Sequence, residues 1–145
     1  MDESVELRPG DVGIGISQVI PVIVTALDGQ GRTVAIEQPE LHIHPRLQAE
    51  IADLFVESVE KQRHRFLLET HSEHFILRLQ RRIRETSKSE PQEERRLRSE
   101  DIVVYYVNQE AGGTRVRRIE IDKNGEFIQP WPDDFFEIDF YERFS

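Results

Sequence analysis

The 145-residue chain has no cysteine, which excludes disulfides, thiolate metal sites and thiol nucleophiles. Apolar material is thin for a chain the length of one domain: 37% hydrophobic against 32% charged residues, with a mean hydropathy of −0.56. Such a balance points to disordered stretches, or to a fold completed by something outside the chain. Long apolar runs are missing too. The longest, Val19 to Leu27, contains Pro21 and Thr25 and is shorter than the about 20 residues that a membrane-spanning helix needs. The opening Met1-Asp2-Glu3-Ser4 is acidic, unlike a secretory or mitochondrial leader, so a soluble, cytoplasmic protein with no membrane contact is expected. Basic charge is in deficit, 19 Lys and Arg against 28 Asp and Glu for a net −9, which opposes nonspecific nucleic-acid binding. One stretch runs against this trend: Arg78, Arg81, Arg82, Arg84, Lys88, Arg95, Arg96 and Arg98 fall close together. Glu85, Glu90, Glu93 and Glu94 interleave with them, as on a solvated charged face.

What is present alternates between two patterns. Gly13-Ile14-Gly15-Ile16-Ser17-Gln18 reads as a glycine-rich loop feeding a buried helix, with Pro21 in the helix's first turn, where a missing N–H costs little. Asp28-Gly29-Gln30-Gly31 ends it. Thr33-Val34-Ala35-Ile36 has the character of a buried strand that stops at Glu37-Gln38-Pro39-Glu40. Pro45 opens a helix with Leu47, Ile51, Leu54, Phe55 and Val59 on its apolar face and Glu50 and Asp53 opposite. After a basic turn at Lys61 to Arg65, Phe66-Leu67-Leu68 repeats the strand pattern and ends in Glu69-Thr70-His71-Ser72. Ser72 is placed to cap a further helix with the stripe Phe75, Ile76, Leu79, Ile83. Thr86 to Arg98 reads as a loop or frayed helix. Ile102 to Val107 and Val116 to Ile121 form a hairpin across Ala111-Gly112-Gly113, Asn124-Gly125 is another turn, and Trp131 to Ser145 is an acidic, aromatic tail suited to docking or to strapping a sheet.

Strands alternating with helices imply an α/β fold: a parallel sheet with flanking helices and a C-terminal β-hairpin, divided at 1–98 and 99–145. Ligands of such sheets gather beyond the C-terminal ends of the strands, where the polar clusters fall. A carboxylate at a strand tip, as at Glu37, suits Mg²⁺. Gln38 beside it can orient a water but cannot take a proton. His71 can donate to a phosphate oxygen. Gly13, Gly15 and Ser17 before a helix can present N–H groups to an anion. Each also has a plain structural reading, as strand boundary, satisfied histidine or packing turn. His42, His44, His71 and His74 with Glu37 leave a zinc centre open as well.

Taken in order, these clusters resemble the C-terminal half of an ABC-type ATPase head of the SMC-like and OLD-like branch, a partial P-loop NTPase. Glu37-Gln38-Pro39-Glu40-Leu41-His42-Ile43-His44-Pro45 resembles that branch's Walker B string, Phe66 to Ser72 its switch strand, and Asp11 to Val19 its signature loop. The region from Ile102 onward is similar to an uncharacterised domain attached to some of these ATPases. The resemblance implies ATP and Mg²⁺ as cofactors. It sets Glu37 at the metal position, Gln38 at the catalytic-base position with Glu40 as substitute base, and His71 at the γ-phosphate switch. It sets Gly13, Gly15 and Ser17 at the signature loop. No G-x-x-x-x-G-K-[ST] occurs in the sequence, so the phosphate cradle is expected from an N-terminal ATPase half or another partner. The implied setting is a pair of heads, as a homo-oligomer, acting in DNA repair or anti-phage defence and meeting DNA through a partner. The competing expectation is a catalytically inactive interaction module that keeps the ATPase scaffold.

Overall fold

The computed structural model describes residues 14–88 and 96–131. Gly13, part of the charged stretch after Lys88 and almost all of the acidic tail lie outside these. The elements are α1 (Ile14–Leu27), β1 (Thr33–Glu37), α2 (Pro45–Gln62), β2 (Arg65–Glu69), α3 (Glu73–Ser87), a 3₁₀ turn (Ser99–Asp101), β3 (Val104–Glu110) and β4 (Gly113–Ile119). They cluster into two compact units, Met1–Phe75 and Ile76–Ser145. No described helix is long and apolar enough to cross a membrane.

In the first unit β1 and β2 pair in parallel, from Thr33 opposite Arg65 to Glu37 opposite Glu69. Parallel neighbours need a crossover, and α2 is that connection. Strand alternation turns Val34, Ile36, Phe66 and Leu68 to the half-buried face and leaves Thr33, Ala35, Glu37, Arg65, Leu67 and Glu69 exposed. Phe55 of α2 meets Phe66 edge-on at 4.7 Å and Phe75 at 5.9 Å. Ile51, Ala52, Phe55 and Val56 are buried as their spacing predicts, whereas Leu47 and Val59 are exposed. Asp53, expected on the solvent face, is only 1% exposed.

Two polar links tie the ends of α1 and α2 together. Ser58 Oγ donates to the Ala26 carbonyl at 2.6 Å. His64, 2% exposed, accepts from the Arg32 N–H through Nδ1 at 3.0 Å and lies 2.6 Å from the Asp28 carbonyl through Nε2. An Nδ1 that accepts carries no proton, so Nε2 holds the hydrogen and donates it.

From Ile14 onward the glycine-rich segment is helix rather than loop. Helix α1 begins at Ile14, which puts Gly15 and Ser17 in its first turn or just beyond and Pro21 in its interior. A Cβ at Gly15 would run into the His42 carbonyl oxygen. Its glycine therefore serves close backbone approach rather than loop conformation.

In the second unit, Ile76, Leu79 and Ile83 are buried as expected, joined by Gln80 and Arg82. Glu85 accepts from Arg81 at 2.7 Å and from Arg82 at 2.5 Å. The hairpin sits lower in the sequence on its second strand and later on its first than the pattern suggested, with Glu110 opposite Gly113. Residues of β4 are exposed from Gly113 to Arg118, so its alternation does not mark one buried face. The Asp122–Glu126 turn, with Gly125 at φ 76°, is held by Arg84, which donates to the Asn124 carbonyl at 3.0 Å and pairs with Glu126 at 2.9 Å.

Candidate functional site

Because β1 and β2 run in parallel and in register, Glu37 and Glu69 end side by side, both exposed on the same face. The loops that carry the polar clusters, 38–44 and 70–72, therefore leave the sheet at one edge. The Gln38 N–H donates to the Glu69 carbonyl at 2.8 Å, which extends the ladder one residue past the strands. The chain then turns back, with Leu41 N–H donating to the Gln38 carbonyl at 3.0 Å. Three described non-glycine residues have positive φ, and two of them, Gln38 (45°) and His42 (62°), lie in this loop. Such conformations cost on the order of 1–3 kcal/mol each and gather at functional sites.

Glu40 joins the two loops. It is 6% exposed, and its Oε1 accepts from Thr70 Oγ1 at 2.8 Å and from the His71 N–H at 2.9 Å. Its Oε2 is buried and takes no hydrogen bond from a described residue. This geometry moves Glu40 away from the spare-base role. A general base must reach the proton it abstracts, and here one oxygen is committed to two donors while the side chain is closed to solvent. The His71 ring, by contrast, is exposed (68%), with Nε2 3.9 Å from Glu69 Oε1.

Glu37, Gln38, Glu40 and His71 are thus brought to one edge. Gly15 reaches the same edge from α1, through its contact with the His42 carbonyl. Ser17 turns its hydroxyl back to the Ile14 carbonyl at 2.8 Å, and Gly13 is outside the described residues. The histidines do not converge: no group of three or more His, Asp or Glu among the described residues is arranged to hold a metal ion, and His44 caps α2 by accepting from Arg46 N–H at 3.2 Å. Mg²⁺ asks for less, one or two carboxylates with the remaining positions filled by water and phosphate. The exposed, adjacent carboxylates of Glu37 and Glu69 fit that donor set.

Sequence reasoning missed Thr70, Gln48 and the pairing of Glu69 with Glu37. The last was accessible from strand register, since both strands end in an acid. Gln48 carried no signal, being one polar residue among several in the first turn of α2.

Comparison with known proteins gives two family matches. Residues 3–76 match the model of the AAA ATPase domain, and residues 97–137 match a protein family of unknown function (DUF3696). No curated protein and no solved structure matches the chain. The first match spans just over half of the sequence and takes in both strand tips and their loops, and on that ground the chain belongs to the AAA ATPase domain family.

Proposed function

We propose that this chain is the Walker B and switch portion of an ABC-type ATPase head of the SMC-like and OLD-like kind, which handles ATP with Mg²⁺ together with a segment that carries the phosphate cradle. The observation that supports this most is the shared edge: Glu37, Gln38 and His71 stand at the C-terminal ends of two adjacent parallel strands, within reach of one triphosphate. In this reading Glu37 holds Mg²⁺, with Glu69 beside it. Bound Mg²⁺ supplies neutralisation of phosphate charge. Gln38 orients the attacking water without removing its proton, and His71 donates to a phosphate oxygen from its exposed ring. The start of α1, with Gly13, Gly15 and Ser17, is the signature element that faces a second head. The cradle comes from residues outside this sequence, in an N-terminal ATPase half or a partner. DNA repair or anti-phage defence, with DNA met through a partner, is the setting that the resemblance favours.

The test is reconstitution. A segment bearing G-x-x-x-x-G-K-[ST] is added to the chain and ATP turnover is measured. The expected result is slow turnover that Glu37→Gln abolishes and Gln38→Glu raises, since a carboxylate restores a proton acceptor. A pair that neither binds nor hydrolyses ATP overturns the reading. Gln38 itself favours a second reading, a non-catalytic module that keeps the scaffold for assembly. ATP binding with no turnover, even after Gln38→Glu, selects that one.

A further inference from the structure

The two strand-tip loops are joined by a closed ring of hydrogen bonds. Thr70 Oγ1 donates to Glu40 Oε1 at 2.8 Å and accepts from the Ser72 N–H at 3.1 Å. Ser72 Oγ donates to Gln48 Oε1 at 2.6 Å and accepts from the Phe75 N–H at 3.1 Å, which caps α3. Gln48 Nε2 donates to the Ile43 carbonyl at 3.2 Å, and the Ile43 N–H closes the circuit on the Glu40 carbonyl at 3.4 Å. The His71 N–H enters it at Glu40 Oε1, 2.9 Å away. Glu40, Gln48, Thr70 and Ser72 are each at least partly buried.

We infer that Glu40 is a positioning residue. It fixes the backbone of His71 against the Glu37–Gln38 tip, and the ring through Thr70, Ser72 and Gln48 makes the two loops move as one. The inference rests on the reading of His71 as the phosphate-facing residue. The physical argument is local. His71 lies in neither strand nor helix, two residues after β2 stops at Glu69 and two before α3 starts at Glu73. Its ring is exposed, so packing does not orient it. The hydrogen bond from its backbone N–H to a carboxylate on the opposite loop fixes instead the point of the main chain from which the ring projects. Burial shields this bond from competing water. A carboxylate that collects both donors of the 70–71 segment is therefore a stronger anchor than either loop has alone.

Two readouts test this on the full chain. Amide exchange at His71, followed by NMR with the Phe55 amide of the core as control, is expected to speed up about tenfold in Glu40→Leu, the equivalent of one lost hydrogen bond. In Glu40→Gln, which keeps the shape and a neutral acceptor, the increase is smaller, and Phe55 stays unchanged. In the reconstituted ATPase, Glu40→Leu lowers kcat with little change in KM for ATP, and Glu40→Gln recovers most of the loss. His71 exchange at the wild-type rate in either variant overturns the inference, and Glu40→Gln decides alone if Glu40→Leu does not fold. Wild-type kcat in Glu40→Leu overturns it while leaving the ATPase reading intact. Altered exchange in a pair without ATP turnover supports the anchor and removes the ATPase reading instead.

Discussion

His64 belongs to no motif, yet it is the most tightly held histidine of the five. Its two ring nitrogens serve the Arg32 N–H and the Asp28 carbonyl, backbone groups of the turn that precedes β1. Removing the ring would strand both groups in a buried place, at about 1–3 kcal/mol for an unsatisfied group, and leave a cavity besides. His64→Ala should therefore lower the unfolding free energy by about 3 kcal/mol in a urea titration; a loss within the scatter of surface substitutions would contradict this. Glu85 gives a prediction in pH. Partial burial pushes its carboxyl up, but hydrogen bonds from Arg81 and Arg82 and their charges outweigh it and hold the group below its ordinary 4.5. A lowered acid stabilises the fold above its unfolded value and loses that contribution as pH falls through the folded one. The stability advantage of the native chain over Glu85→Gln should thus shrink on titration from pH 6 to below 4.5. A difference that stays constant with pH would show that the arginines do not act on it. At this scale the sequence was read well where type and position agree, as at Ser72 and Phe75, and badly where a charged residue is buried. Asp53 and Arg82 sit at helical spacings that look solvent-facing, and nothing in a single sequence reveals that a tertiary partner will cover them.

The β1–α2–β2 element was legible in its order and strand ends, though not in every face of α2. Short apolar runs end in acids, Pro45 marks the helix start, and a parallel pair with one crossover leaves little choice of arrangement. Helix α1 was foreseen, but not its start: the sequence signals a loop through Gly15 and a first turn at Pro21, whereas the helix already runs from Ile14. Gly15 is there because the chain at His42 comes too close for a Cβ. Gly15→Ala tests that cause. Alanine is the better helix former by roughly 0.5–1 kcal/mol, yet the collision with backbone should make the variant less stable by about 1–3 kcal/mol. A variant as stable as the native chain, measured by thermal unfolding, would mean that the 38–44 loop yields freely. The hairpin was foreseen as an element but not in its limits, since β4 is exposed on both faces and its alternation marks no buried side.

The first unit as a whole leaves apolar surface exposed on both its sheet and its first helix. Parallel sheets are ordinarily covered on both faces. This one has two described strands, with Ala35 and Leu67 exposed on the uncovered face. Helix α1 has no charged residue and exposes Ile16, Ile20, Val24 and Leu27. A cradle-bearing segment that binds the folded chain must stabilise it, by about 2.7 kcal/mol at a hundredfold excess over its Kd. The thermal midpoint should accordingly rise with segment concentration, and a midpoint that does not move would argue that the segment does not cover this surface.

The central claim, that one triphosphate is read at the β1 and β2 tips, is tested most directly with Mn²⁺–ATP in place of Mg²⁺–ATP. The chain is isotopically labelled and mixed with its cradle-bearing segment, and paramagnetic broadening of its amide signals is mapped by NMR. The account predicts broadening concentrated at Glu37 to Glu40 and Glu69 to Ser72, weakened by Glu37→Gln. Broadening centred on another part of the chain, or unaffected by that substitution, would contradict it.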